Sequence, residues 1–91
     1  MTGAAGYSVA YDPRAAKELS RIDRTPASRI ADAVDRLGAD PLPAGCRKLA
    51  GYDDLWRIRV GDYRVVYTVD HGKLLVMAVH VAHRSRIYRD L

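Results

Sequence analysis

Between residues 7 and 11, Tyr7, Val9 and Tyr11 alternate with Ser8 and Ala10, a period of two that predicts a short strand. Asp12-Pro13 then reads as an N-cap followed by the first helical position. The aspartate accepts a bond from a free amide, and the proline lacks the amide that would go unpaired. Ala15, Leu19 and Ile22, four and three apart, form one face of a helix. Thr25-Pro26 repeats the start signal, and Ala27, Ile30, Val34 and Leu37 make a second stripe that stops at Gly38, so two antiparallel helices are expected. Asp40-Pro41-Leu42-Pro43-Ala44-Gly45 is a stiff loop that cannot continue a helix. Leu55 to Val60, the pair Gly61-Asp62 and Tyr63 to Val69 then form a hairpin with a two-residue turn, and a turn at His71-Gly72 leads into a last strand from Leu74 to Val81. The expected architecture is a single α+β domain spanning residues 1–91. An N-terminal strand and a two-helix hairpin pack on one face of a mainly antiparallel sheet.

The hairpin serves as a ruler. With Gly61 and Asp62 as the loop, Val60 pairs with Tyr63, Arg59 with Arg64, Ile58 with Val65 and Arg57 with Val66. Paired residues share a face, which puts Trp56, Ile58, Val60, Tyr63, Val65, Tyr67 and Val69 beneath the helices and Arg57, Arg59 and Arg64 on the other side. Like charges directly opposite one another cost stability, and a bound anion is the simplest compensation. The bland alternative is that Asp53, Asp54 and Asp62 neutralise these arginines, or that they spread into water.

Charge strengthens the first reading. The net charge of +4 lies wholly in the second half: residues 1–45 hold six basic and six acidic side chains, residues 46–91 nine and five. Trp56, Tyr63, Tyr67 and Tyr88 lie among those cations, which makes nucleic acid the first anionic partner to consider. A length of 91 residues leaves no room for separate cofactor and substrate domains, and at this size only about 60% of the unfolded chain's surface is buried, so a partner is expected to add stability. The single Cys46, the absence of a signal-like segment in the first ten residues and the lack of an apolar run near 18 residues lead to the expectation of a soluble, cytoplasmic protein without a membrane partner.

Candidate chemistry is confined to the basic segments. His83, Arg84, Arg86 and Tyr88 follow the last strand and are placed to reach the arginine face. Tyr88 either stacks on a base or merely fastens the tail to the sheet. His80 and His83, three apart on a strand, are expected on opposite faces, which argues against a metal site. No phosphate-binding glycine loop or serine-nucleophile motif is present, and Cys46 has no evident base in sequence range.

Lys48-Leu-Ala-Gly51, the block Leu55-Trp-Arg-Ile-Arg-Val-Gly-Asp-Tyr-Arg-Val-Val-Tyr67, and His83-Arg84 ahead of Tyr88 together resemble the RelE/ParE toxin superfamily of type II toxin–antitoxin systems, closest to its RelE branch. The resemblance spans nearly the whole chain. It implies a toxin that cleaves messenger RNA in the decoding site of the ribosome, uses no cofactor or metal, and is silenced by a cognate antitoxin protein. By position it implies catalytic roles for Arg57, Arg59, Arg64, Arg84 and Tyr88; Arg47, Lys48 and Arg86, in the same basic segments, are further candidate RNA-binding cations. Arg57 and Arg59 stand where better-known members carry lysines. Arginine keeps its proton, so neither is a general base, and His83 is the candidate acid or base, because histidine as a residue type exchanges a proton near neutrality. Two other readings are a non-catalytic gyrase inhibitor of the ParE kind and an RNA- or ribosome-binding module without chemistry.

Overall fold

The computed structural model describes residues 6–89. In chain order it contains β1 (Ser8–Tyr11), α1 (Pro13–Ser20), α2 (Arg24–Arg36), β2 (Arg47–Lys48), β3 (Leu55–Val60), β4 (Tyr63–Asp70) and β5 (Leu75–His83). All five strands join one sheet in the order β1-β5-β4-β3-β2. β1 runs parallel to β5, and every other neighbouring pair is antiparallel. Among the described residues no helix is long and apolar enough to cross a membrane.

The Asp12 cap forms as expected, with its Oδ1 accepting from the Ala15 amide at 2.8 Å and Pro13 in the first turn. The second helix starts earlier than Thr25-Pro26 suggests. Asp23 is its N-cap residue, without a side-chain capping bond, and the first helical bond runs from the Ala27 amide to the Asp23 carbonyl at 2.9 Å. Pro26 falls in the first turn, where amides have no intrahelical acceptor, so it is tolerated there as it would be at the first position. The helix ends before Gly38, where a Cβ would lie 2.9 Å from the Tyr7 carbonyl oxygen. The Tyr7 amide donates to the Gly38 carbonyl at 2.7 Å, and only glycine allows the two backbones to lie so close.

Both helices cover one face of the sheet. Ala15 from α1 and Ile30, Val34 and Leu37 from the second helical segment pack on Ile58, Val65, Tyr67, Val76, Ala78 and Val81. Tyr67 is fully buried, and its hydroxyl donates to the Pro41 carbonyl at 2.8 Å, fastening the proline loop to the sheet. Burial raises its pKa well above the usual tyrosine value, and Cys46 and Asp40 add to the effect. Tyr11 is raised as well, by burial first and then by Asp35. A group that holds its proton more tightly when folded contributes stability fully below its unfolded pKa, and that contribution is lost at higher pH. Denaturant unfolding is therefore expected to show stability falling above about pH 10, and Tyr67→Phe should flatten that fall.

Three features depart from the sequence expectation. The sheet has a fifth strand, β2, paired through Arg47 with Arg57 and Lys48 with Trp56. A second apolar cluster of Leu49, Val66 and Ile87, flanked by Leu55, Val79 and Ala82, covers part of the face away from the helices. β5 is bulged: Val66 pairs with His80 and Tyr67 with Ala78, leaving Val79 as the extra residue. The bulge precedes His80, and from His80 to His83 the register is regular, so the two histidines keep the opposite placement that their spacing predicts. His80, 1% exposed, pairs with Val66 of the second cluster and has its Nδ1 2.8 Å from Glu18 of α1, whereas His83 pairs with Tyr63 on the helix-bearing side.

Candidate nucleic-acid interface

The β3–β4 hairpin has the register that its two-residue turn dictates. Val60 pairs with Tyr63, Arg59 with Arg64, Ile58 with Val65 and Arg57 with Val66, and the ladder extends to Trp56 with Tyr67. Gly61 takes φ +58°, a left-handed conformation that the tight turn requires and glycine adopts without strain. Arg57, Arg59 and Arg64 therefore share the face away from the helices, and Arg47, paired with Arg57, joins them.

Arg64 is the centre of this group. Its Nη1 donates to the carbonyls of Gly61 at 3.1 Å and Tyr63 at 3.0 Å, so the guanidinium is held against the turn. Desolvation lowers its pKa, the positive charges of Arg59, Arg57 and Arg84 lower it further, and Tyr88 acts in the opposite sense. Arginine remains cationic all the same, so the cluster is a standing concentration of positive charge. Among the described residues no carboxylate lies within 4 Å of Arg57, Arg59 or Arg64, and Asp53 and Asp54 pair with none of them. Among the described residues Asp62 reaches Arg84 alone, at 3.8 Å in an exposed setting where an ion pair contributes little. The Arg84 amide donates to the Asp62 carbonyl at 2.7 Å, which ties the end of β5 to the hairpin turn.

Tyr88 comes back over the same face. Arg57 Nη1 donates to its hydroxyl oxygen, and the guanidinium carbon lies 5.8 Å from the ring centroid, within cation–π range. The ring stays 56% exposed. Fastening of the tail falls instead to Ile87, 1% exposed and packed with Leu49 and Val66. Arg57, Arg59, Arg64, Arg84 and Tyr88 are thus brought together.

The other candidates are dispersed. Lys48 opposes Trp56, one register position off the arginine row, and Arg86 is exposed on the tail turn with its amide donating to the His83 carbonyl at 2.8 Å. The His83 ring meets Tyr63 edge-on, with centroids 5.7 Å apart, and its Nδ1 is 2.9 Å from the Ser85 hydroxyl. Because Tyr63 packs against the main core, His83 lies across the sheet from Arg64, whose partner on β5 is Ala82. Among the described residues no three His, Cys, Asp or Glu side chains cluster as metal ligands.

Sequence reasoning missed Arg36 and Tyr52. Arg36 ends α2 and lines a groove of about 750 Å³ with Arg47, Arg57, Arg59 and Arg64, between the helix, the proline loop and the edge of β3. Only the packing of α2 on the sheet brings it there. Tyr52 borders a second groove of about 460 Å³ together with Arg47, Arg57 and Tyr88. An exposed aromatic in a Gly-Tyr-Asp turn within the basic half was the available signal.

A family model described as the ParE toxin of the type II toxin–antitoxin system parDE matches residues 9–88. The curated toxin RelE of Mycobacterium tuberculosis is 36% identical over 84 residues, covering 91% of this chain and 87% of that protein. Among solved structures, the archaeal RelE–RelB complex from Pyrococcus horikoshii superposes with a TM-score of 0.77 at 30% identity, over 94% of this chain and 99% of that one. The intact E. coli RelBE toxin–antitoxin complex does so at 0.73 and 28% identity, over 85% and 95%. The family model carries the ParE name and these relatives the RelE name. The chain belongs to the RelE/ParE superfamily of toxins from type II toxin–antitoxin systems.

Proposed function

We propose that the protein is a ribosome-dependent mRNA interferase, an endoribonuclease that cuts messenger RNA in the decoding site and so stops translation in the cytoplasm. The observation that carries this reading is the convergence of Arg57, Arg59, Arg64 and Arg84 with Tyr88 on a face where, among the described residues, no carboxylate neutralises the hairpin arginines.

The reaction is attack by an RNA 2′-oxygen on the adjacent phosphorus. The bond from the 2′-oxygen to phosphorus forms and the bond to the 5′-oxygen breaks, leaving a 2′,3′-cyclic phosphate and a 5′-hydroxyl. One proton leaves the 2′-oxygen and one arrives on the 5′-oxygen. Negative charge builds on the five-coordinate phosphate, and fixed guanidinium forks stabilise it. Arg64, already held by two carbonyls, is the best placed. Tyr88, positioned by Arg57, orients the nucleotide beside the cut. His83 faces Tyr63 and takes no part, so protons are exchanged with water at this open face. His83→Gln is accordingly expected to leave the cleavage rate within about twofold from pH 6 to 8, although an ordinary histidine titrates in that window.

The partners are the ribosome and its messenger, together with a cognate antitoxin. This last follows from relatives crystallised as RelE–RelB complexes. The second reading, gyrase inhibition, is favoured by the ParE description of the family model. A purified translation system and a gyrase supercoiling assay, each titrated with antitoxin-free protein, separate the two. The interferase reading expects truncated messenger and unaffected supercoiling, and intact messenger with blocked supercoiling would replace it by the second.

A further inference from the structure

We propose that Tyr52 and Tyr88 form a two-sided stacking clamp for one base of the bound RNA, which makes Tyr52 a substrate-binding residue of this face. The inference rests on RNA being the ligand there. Both rings line one groove of about 460 Å³, within the range of about 300–1,000 Å³ typical of small-molecule clefts. They are also the two tyrosines most given over to solvent, 43% and 56% exposed, whereas Tyr7, Tyr11 and Tyr63 are half-buried and Tyr67 is fully buried.

The two walls have a common foundation. The Tyr52 amide donates to the Leu49 carbonyl at 3.2 Å, and the Leu49 amide to the Leu55 carbonyl at 2.9 Å, so the turn that carries Tyr52 is closed on the sheet. Leu49 packs in the same buried cluster as Ile87, the residue before Tyr88. One apolar cluster thus sets both rings, and a gap built in advance costs a ligand less ordering on entry. Arg47, Lys48 and Arg57 line the same groove, which supplies cations for the phosphates on either side of a stacked base. Aromatic faces for the base and cations for the backbone are what single-stranded RNA recognition requires.

The test uses ribosomes programmed with a messenger that is 2′-O-methylated at the decoding-site codon, so that it cannot be cut. The fluorescent base 2-aminopurine is placed at each codon position in turn, and stacking quenches it. Wild-type protein is expected to quench at one position. Tyr52→Ala should lose the quench there and weaken binding about tenfold, Tyr52→Trp should restore both, and Tyr52→Leu, apolar but without a π face, should not. Because Tyr52 is exposed, all three variants should melt with the wild type. If Tyr52→Ala quenches and cuts unmodified messenger as wild type does while Arg64→Ala is impaired, the clamp is refuted and the RNA reading stands. If wild-type protein neither quenches at any position nor cuts unmodified messenger, both fall together.

Discussion

Replacing Arg64 with alanine is expected to slow messenger cleavage about 10²- to 10³-fold, the loss produced by removing one fixed donor from a site of developing negative charge, about 2.7–4 kcal/mol of barrier. The size follows from position. Arg64 lies opposite Arg59 in the hairpin ladder, within the field of Arg57 and Arg84, and its guanidinium is fixed by the Gly61 and Tyr63 carbonyls before any ligand arrives. Fixed charge of this kind needs no reorganisation at the moment of reaction, whereas a mobile surface cation does. Arg64→Lys should recover only a small part of the rate, because an ammonium cannot bond two carbonyls and present a planar fork to a phosphate together. Folding should not suffer. Two like charges directly opposite each other destabilise a strand pair, so Arg64→Ala should match or slightly exceed the wild-type midpoint in urea. Single-turnover cleavage on programmed ribosomes checks the first expectation, and a loss smaller than threefold would remove Arg64 from the centre of the mechanism.

Glu18→Ala is expected to have the largest effect on stability, about 3 kcal/mol, because it strands two buried donors at a cost of about 1–3 kcal/mol each. The Glu18 carboxylate accepts from the Val81 amide at 2.8 Å, lies 2.8 Å from His80 Nδ1 and pairs with Arg14 at 3.3 Å. His80 is 1% exposed, and β1 ends at Tyr11 opposite Ala78, so among the described residues β5 beyond that point has no strand on the edge away from β4. One side chain on α1 therefore completes the hydrogen bonding of a strand edge that β1 leaves open. In a domain of this size such a loss lowers Tm by about 12–24 °C. Glu18→Gln keeps an acceptor for the Val81 amide and should cost less. Thermal melts of the two variants side by side measure the difference, and equal melting points would show that charge rather than acceptor capacity matters at this position.

The contrast between these two residues shows what the sequence made legible. Arg64 was found because Gly61-Asp62 announces a two-residue turn and the flanking strands alternate cleanly, so counting outward fixes register, face and neighbours. Glu18 was not found because nothing in local spacing shows that β1 stops opposite Ala78 and that α1 then brings a carboxylate to the Val81 amide. β2 escaped for a similar reason, since two residues are too short to display a period. The start of α2 lay between two plausible caps, Asp23 and Thr25, and Pro26 is compatible with either. Within the candidate site, Arg57, Arg59, Arg64, Arg84 and Tyr88 could be placed from local spacing together with the family resemblance. Arg36 and Tyr52 depend on how α2 and the turn at Gly51 pack in three dimensions, which single-sequence spacing does not carry.

The decisive measurement is primer extension on messenger bound to ribosomes whose decoding site is empty, incubated with antitoxin-free protein, beside a messenger carrying one 2′-deoxy nucleotide at the point of cutting. New ends within the decoding-site codon, abolished by the single deoxy substitution and lost with Arg64→Ala, are the expected result. Cutting that survives removal of the 2′-hydroxyl, or no cutting by folded protein on loaded ribosomes, would contradict it.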